Sequence, residues 1–322
     1  MNKRPKILVV GSFVMDLVVS TSRFPAAGET VLGCDFSVAP GGKGANQAIQ
    51  AARLGAQVDM IGCVGNDIYG QTLLKSARDA GVGVAHVRID ETLPSAVGNV
   101  QLEVGADGKS ENRIVVVPGA NMAMTPDSVA FLKGRVGDYD MVLLQLEIPM
   151  EVNAAVINIA AAEGVPVILN PAPAKIIGDE NLCKLTYLIP NETEAAMLTG
   201  IPARGEDGKI CFESAERAAR ALLERGVENV IVTLGNAGAL CVTKDRVEYC
   251  PIVGASTAVD PTAAGDSFIG AFAVSKAGGR SNMEAMHFAC GAASITVSRK
   301  GAQPSLPALD EVLGLLARIE PE

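Results

Sequence analysis

The chain has 322 residues, 48% of them hydrophobic, and a formal net charge of −9. That length suits one large α/β domain with a small appendage, or two domains, and the apolar content excludes a disordered chain. An acidic balance without a basic run argues against nucleic-acid binding, and no stretch reaches the ~20 unbroken apolar residues of a membrane span.

The start, Met1-Asn2-Lys3-Arg4-Pro5-Lys6, is basic, but the apolar run at 7–10 breaks at Gly11 and soon meets Asp16. It is too short for a secretion signal and reads as a first strand. In open α/β sheets ligands bind beyond the carboxyl ends of strands, so Asp16, following that strand, is placed to hydrogen-bond hydroxyls; a solvated loop acid is the plain alternative. Residues 17–39 hold alternating β-branched stretches in place of a helix. Pro40-Gly41-Gly42-Lys43-Gly44-Ala45-Asn46-Gln47 is a Gly-rich turn into a helix. Glycines allow close backbone approach, and Lys43 and Asn46 offer donors to a polar ligand. The residues after Lys43 are not those of a Walker A loop, and a tight strand-to-helix turn is the alternative.

The Ala-rich segment 47–54 reads as a helix ending at Gly55, followed by a strand at 58–61 and a helix at 69–80 ending at Gly81. Residues 97–117 break the rhythm again. Val100 to Val104, a turn at Ala106-Asp107-Gly108, and Arg113 to Val117 read as a hairpin, suited to a flap over one end of the sheet. A strand at 141–146 delivers Glu147 to the same zone as Asp16; a helix at 152–163 stops at Gly164. Strands follow at 165–169 and 187–189, the latter leading into Pro190-Asn191-Glu192-Thr193-Glu194. Asn191 suits a helix N-cap, and Glu194 suits Mg²⁺ held through water. A helix at 214–225 stops at Gly226, and a strand at 230–233 ends in a Gly-x-x-Gly turn, Thr233 to Gly238, that fits either a nucleotide or an ordinary hairpin. Near-continuous apolar strands alternating with helices predict a doubly wound, mostly parallel α/β sheet flanked by helices. The expected organisation is one domain over 1–322 with extra strands inserted at about 17–39 and 97–117.

Val259-Asp260-Pro261-Thr262-Ala263-Ala264-Gly265-Asp266-Ser267-Phe268 opens a further apolar helix. Small residues at a helix start let backbone N–H groups face an anion, and Asp266 puts a proton acceptor in the same turn. That pairing is what phosphoryl transfer to an alcohol requires. The alternative is that Asp266 merely caps the helix. The seven cysteines, Cys34, Cys63, Cys183, Cys211, Cys241, Cys250 and Cys290, are scattered, which predicts reduced thiols in a cytoplasm and no zinc site. His86 and His287, far apart in sequence, read as structural.

In order along the chain, Gly41-Gly42-Lys43-Gly44-Ala45-Asn46, Asn170-Pro171-Ala172-Pro173-Ala174, Pro190-Asn191-Glu192-Thr193-Glu194 and Thr262-Ala263-Ala264-Gly265-Asp266 resemble the ribokinase-like (PfkB) family of carbohydrate kinases. The resemblance runs from Gly11-Ser12 to Gly301-Ala302-Gln303-Pro304-Ser305. It implies a large α/β layer with a small β-sheet lid that pairs with its twin in a homodimer. It implies phosphoryl transfer from MgATP to the primary hydroxyl of a pentose, D-ribose giving D-ribose 5-phosphate. Carried over, Asp16, Gly42, Lys43, Asn46 and Glu147 hold the sugar, Asp266 is the base, and Ala263, Ala264 and Gly265 form the anion cradle. Asn191, Glu194, Thr233, Gly235, Gly238 and, more weakly, Cys290 face ATP and Mg²⁺. Asp260, Thr262, Thr296, Arg299, Gly301 and Ser305 match a K⁺ site. The chain departs from the family pattern at Val14, where Asn is usual, and at Pro261, where Thr or Ser is usual. Val14 cannot donate a hydrogen bond, which relaxes selection for a hydroxyl. The alternatives are a kinase for deoxyribose, a nucleoside or another furanose, or a non-catalytic sensor on the same fold. A dinucleotide-dependent oxidoreductase is disfavoured, because no Gly-x-Gly-x-x-Gly follows the first strand.

Overall fold

The computed structural model describes residues 4–104, 110–205, 208–254 and 257–319. In chain order the strands are β1 Lys6–Val10, β2 Val14–Thr21, β3 Asp35–Gly41, β4 Gln57–Gly65, β5 Val82–Asp90, β6 Val97–Val104, β7 Ser110–Val117, β8 Met141–Gln145, β9 Val167–Asn170, β10 Tyr187–Leu188, β11 Asn229–Thr233, β12 Ala239–Thr243 and β13 Val247–Cys250. The helices are α1 Lys43–Arg53, α2 Ile68–Asp79, α3 Met150–Ala162, α4 Asp179–Leu182, α5 Glu192–Thr199, α6 Phe212–Glu224, α7 Ala264–Ala277, α8 Asn282–Val297 and α9 Leu309–Ile319.

β1 shows why the sheet is covered on both faces. Its side chains alternate, and Ile7, Leu8, Val9 and Val10 are all fully buried. Ile7 and Val9 join a core with α1, α2, α7 and α8. Leu8 and Val10 join a second core with α3 and α6. Nine strands run in the order β13-β12-β11-β10-β9-β8-β1-β4-β5. They pair in parallel except at the β11–β12 and β12–β13 junctions. This is the doubly wound, mostly parallel sheet that the apolar runs predict.

A second sheet has the order β3-β2-β6-β7. β2 pairs antiparallel with β3 and parallel with β6, and β6 pairs antiparallel with β7. The hairpin of 97–117 is therefore present, while its expected turn at Ala106-Asp107-Gly108 lies outside the described residues. The first pair of strands reaches further than 17–39, from Val14 to Gly41. Asp16 thus sits within β2, in register with Ala39 and Gly98, and is not in a loop. Phe36, Val38, Ile114, Val115, Val116 and Val117 of this sheet are exposed.

The four glycines expected to stop helices, Gly55, Gly81, Gly164 and Gly226, all have positive φ. Element edges moved for physical reasons. β9 begins at Val167, since Pro166 has no N–H to give the ladder and offers only its carbonyl, to Val142 N at 2.9 Å. β8 stops at Gln145 because Leu146 N–H turns to Ala172 O at 3.0 Å. β5, β12, β13, α4, α8 and α9 were not among the expected elements, while α5 begins after Asn191 as its expected cap. α8 nevertheless carries a local signature. Ser281 Oγ accepts from Glu284 N–H, and Glu284 Oε2 accepts from Ser281 N–H at 2.8 Å. Ser281→Ala should cost about 1 kcal/mol, read as a lower denaturant midpoint at unchanged slope.

Candidate active site

Three element starts converge at the carboxyl ends of the central strands. Gly42, at the end of the β3-to-α1 turn, has φ 92°, and a Cβ there would stand 2.6 Å from Val14 N, so only glycine fits. That turn begins α1 at Lys43, four residues before the expected helix start at 47, and places Asn46 and Gln47 on its inward face. α7 begins at Ala264 after Ala263, which has φ 60°. Among the described residues Ala263 is the one non-glycine with positive φ. A left-handed non-glycine residue is uncommon and persists where its surroundings enforce it.

Asp266 does not cap its own helix; no side chain does. Its carboxylate, 6% exposed, is gripped from α1. Asn46 Nδ2 donates to Oδ2 and Gln47 Nε2 to Oδ1, both at 2.9 Å. Lys43, Asn170, Asn191, Glu194, Thr233, Pro261, Ala263, Gly265 and Asp266 line one cleft. Ala264 N–H is engaged by Pro261 O at 3.2 Å. A Cβ on Gly265 would meet nothing within 4 Å.

On the other side of Lys43, Glu147 Oε2 accepts from Ser12 Oγ at 2.5 Å and from Lys43 N–H at 3.0 Å. Asp16 is pressed between two strands. A Cβ on Gly41 would lie 2.5 Å from its Oδ2, and one on Gly98 would lie 2.4 Å from its Oδ1. Burial, then the charges of Glu147 and Asp266, push the Asp16 carboxyl up to about 7, against the pull of Lys43. Burial depresses the Lys43 ammonium, but Asp266, Glu147, Glu194 and Asp16 outweigh it, so its pKa is raised. Val14 is buried and paired with Gly41.

Asn191 caps α5 in a reciprocal box. Its Oδ1 accepts from Glu194 N–H at 2.8 Å, and Glu194 Oε2 accepts from Asn191 N–H at 2.9 Å. Burial raises the Glu194 carboxyl, opposed by that N–H and by Lys43. The Gly235–Gly238 turn closes the antiparallel β11–β12 hairpin, with Leu234 N–H donating to Gly238 O at 2.8 Å. A bridge from Asn191 to Thr233 sets it beside the α5 start. One carboxylate at a cleft wall fits Mg²⁺, which takes few protein ligands and keeps its waters.

Asp260 Oδ1 accepts from Thr262 N–H at 2.9 Å and Oδ2 from Gly301 N–H at 2.8 Å, so these three of the six expected cation residues meet. The other side chains face elsewhere. Thr296 Oγ1 lies 2.8 Å from Ser267 Oγ, Arg299 pairs with Glu311, and Ser305 Oγ donates to Ala302 O at 2.7 Å. These residues have backbone carbonyls to offer a monovalent cation, a donor type that suits K⁺. Cys290 lies in α8, buried beside Cys250, and is not among the residues lining the cleft.

Ser12, Gln47, Gln145 and Asn170 were not singled out as site residues by the sequence. A signal existed for Gln47, a long polar side chain following Asn46 on the inward face of an Ala-rich helix.

Residues 4–309 match the pfkB family carbohydrate kinases. The chain is 38% identical to a ribokinase of Haemophilus influenzae over 317 residues, covering 97% of this chain and 99% of that protein. It is 34% identical to a deoxyribokinase of Salmonella typhi over 306 residues, covering 95% and 96%. Its fold superposes on an Arabidopsis thaliana ribokinase complexed with ribose and ATP with a TM-score of 0.87, at 36% identity and 98% and 99% coverage. The ordered motifs, the two-sheet architecture and these likenesses agree, and the chain belongs to the pfkB family of carbohydrate kinases.

Proposed function

We propose that the protein transfers the γ-phosphoryl group of ATP to the 5-hydroxyl of D-ribose. The observation that carries this reading is the buried Asp266 carboxylate, held by two side-chain amides at the mouth of a helix whose start puts Ala263 and Gly265 on the wall of the cleft. Asn46 Oδ1, beside it, is buried without a partner, an acceptor suited to a sugar hydroxyl. Asp16, Lys43, Asn46, Glu147 and the Gly42 turn hold the sugar, with its primary hydroxyl toward Asp266. Asn191, Glu194 and the hairpin turn of Thr233, Gly235 and Gly238 face the nucleotide.

Asp266 accepts the hydroxyl proton as the oxygen attacks phosphorus. A carboxylate is a weak base, which suffices because a loose transition state asks little push from the nucleophile. Gly265 presents its backbone N–H to the moving phosphoryl group, the charge-stabilising part of the reaction, while the Ala264 N–H is taken up by Pro261 O. Lys43 balances the four carboxylates around it so that an anionic phosphate chain can approach. Glu194, on the cleft wall, would hold Mg²⁺ through water, and the ion would neutralise charge on the phosphates. The loop of Asp260, Thr262 and Gly301, with Thr296, Arg299 and Ser305, would hold K⁺, which would supply a fixed positive charge beside the segment leading to the cradle.

Exposed apolar residues on the small sheet, Phe36, Val38, Ile114 and Val115 among them, support its pairing with a second copy as a homodimer. Seven unpaired cysteines support a reducing, cytoplasmic location. A second reading, a kinase for deoxyribose, is favoured by Val14, which has no hydrogen bond to give a sugar. ADP release across ribose, deoxyribose, other furanoses and nucleosides, each with and without K⁺, tests these readings. Ribose is expected to give the highest kcat/KM, increased by K⁺. A higher value for deoxyribose would overturn the substrate assignment, and no ADP with any acceptor would leave a binding protein.

A further inference from the structure

Behind Asp266 stands a row of side-chain amides that extends from Gln47 away from the sugar and the nucleotide. Gln47 Nε2 donates to Asp266 Oδ1 at 2.9 Å and, more weakly, to Asn170 Oδ1 at 3.4 Å. Gln145 Nε2 donates to Gln47 Oε1 at 2.7 Å. Asn153 Nδ2 donates to the main-chain O of Gln145 at 2.8 Å. Gln47, Gln145 and Asn153 are fully buried, and none of them lines the cleft.

The direction of this row follows from donor arithmetic. An ionised carboxylate only accepts, so Gln47 must turn its NH₂ toward Asp266. Its remaining oxygen can only accept, so Gln145 must turn its own NH₂ toward Gln47. Gln145 Oε1 is thereby driven to the far side, where it is buried with no partner. It rests against Gly11, where a Cβ would stand 2.0 Å away. A buried acceptor without a donor is unfavourable and calls for an explanation. Here the explanation is polarity: reversing Gln145 would satisfy its oxygen no better and would place an acceptor against Gln47 Oε1.

The row is also held at fixed spacing. Gly270 of α7 lets the helix approach α1 so closely that a Cβ there would lie 2.9 Å from Gln47 O. Ser267 Oγ lies 3.2 Å from Gln50 Oε1 across the same contact.

We infer that Gln47, oriented by Gln145, is a positioning residue that fixes the rotamer of Asp266 with Oδ1 tied back and the carboxylate aimed at the acceptor hydroxyl. The inference rests on the reading of Asp266 as the base. In a low-dielectric interior, hydrogen bonds aligned donor-to-acceptor reinforce one another. Small misplacements of a catalytic group are costly to turnover.

The test is steady-state kinetics with ribose and ATP, plus calorimetric ribose binding, on the full chain carrying Gln47→Leu, Gln145→Met, Gln145→Glu or Asp266→Asn. Gln47→Leu is expected to lower kcat about 10- to 100-fold while the ribose KM and binding constant change by less than about threefold. Gln145→Glu keeps the shape but, once ionised, presents only acceptors to Gln47 Oε1, which forces that amide round, so it is assayed up to about pH 9, where its protonated, donating form is depleted. It is expected to lower kcat more than Gln145→Met. A packing role predicts the reverse order, with the isosteric Glu nearer to wild type. If Gln145→Glu does not fold, Gln47→Leu decides. Full kcat in Gln47→Leu alongside a dead Asp266→Asn would overturn the relay and leave the base standing. A raised KM at unchanged kcat would make Gln47 a binding residue and overturn it as well. Normal kcat in Asp266→Asn would remove the base, and the relay's role with it.

Discussion

Asp266→Asn is expected to lower kcat by at least ~10²-fold, the lower end of general-base contributions, with a much smaller change in the sugar KM. The substitution keeps the volume, so the buried pocket is not emptied. It removes the proton acceptor and replaces one carboxylate oxygen with a donor. That new donor must face either Asn46 Nδ2 or Gln47 Nε2, each of which donates to Asp266 at 2.9 Å. One of these amides then loses its partner, and some stability should go with it. Sugar affinity should survive better, because Asp16, Lys43 and Glu147 remain. Rapid-quench measurement of phosphoryl transfer separates the chemical step from product release. Near-normal turnover would remove Asp266 from the reaction.

Asp16→Ala is expected to raise the ribose KM about 10²-fold with kcat less affected, as suits the loss of one or two hydrogen bonds to a charged group at roughly 1.5–3 kcal/mol each. An unchanged KM would rule out its role in holding the sugar. Its pH dependence has a definite sign. The folded-state carboxyl stands at about 7 against an ordinary 3.8, so it gains a proton as pH falls through 7 and can then donate but no longer accept as a carboxylate. The ribose KM should therefore rise from pH 8 to pH 6 in the wild type and stay flatter in Asp16→Asn. Stability runs the other way. A raised acid favours the folded state fully below 3.8 and loses that contribution as pH climbs through 7. Asp16→Asn should raise Tm at pH 8 relative to wild type, by a margin that shrinks toward pH 4. A margin independent of pH would contradict the assignment of the shift to Asp16.

The large sheet was legible because its strands are buried on both faces and its helices end at glycines that the chain needs in a left-handed conformation. β1 and the stops at Gly55, Gly81, Gly164 and Gly226 are examples. The edge strand β13 was less so, since its exposed and half-buried residues lack that apolar continuity. Asp16 was singled out as following the first strand, with a loop acid as the alternative, because period and propensity say nothing about a second sheet that begins only three intervening residues after β1. The pairing of Asp266 with Asn46 and Gln47, 220 and 219 residues away, is a product of tertiary packing and has no local signal. The cation residues illustrate the converse: Asp260 and Gly301 do meet, while the Thr296 and Arg299 side chains are satisfied within the core and by Glu311.

Asp16 and its two glycine walls, Gly41 and Gly98, all belong to the small sheet, whereas Asp266 and Asn46 belong to the helices of the large one. The proposed sugar contacts therefore come from two different sheets, linked after β1 by Gly11, Ser12 and Phe13 and again between β3 and α1 at Gly42. If the two sheets shift relative to one another, a sugar bridging both would favour their approach by the same factor by which that approach tightens its hold, since linkage is reciprocal. A second protomer seated on the small sheet would then modulate affinity without touching the sugar.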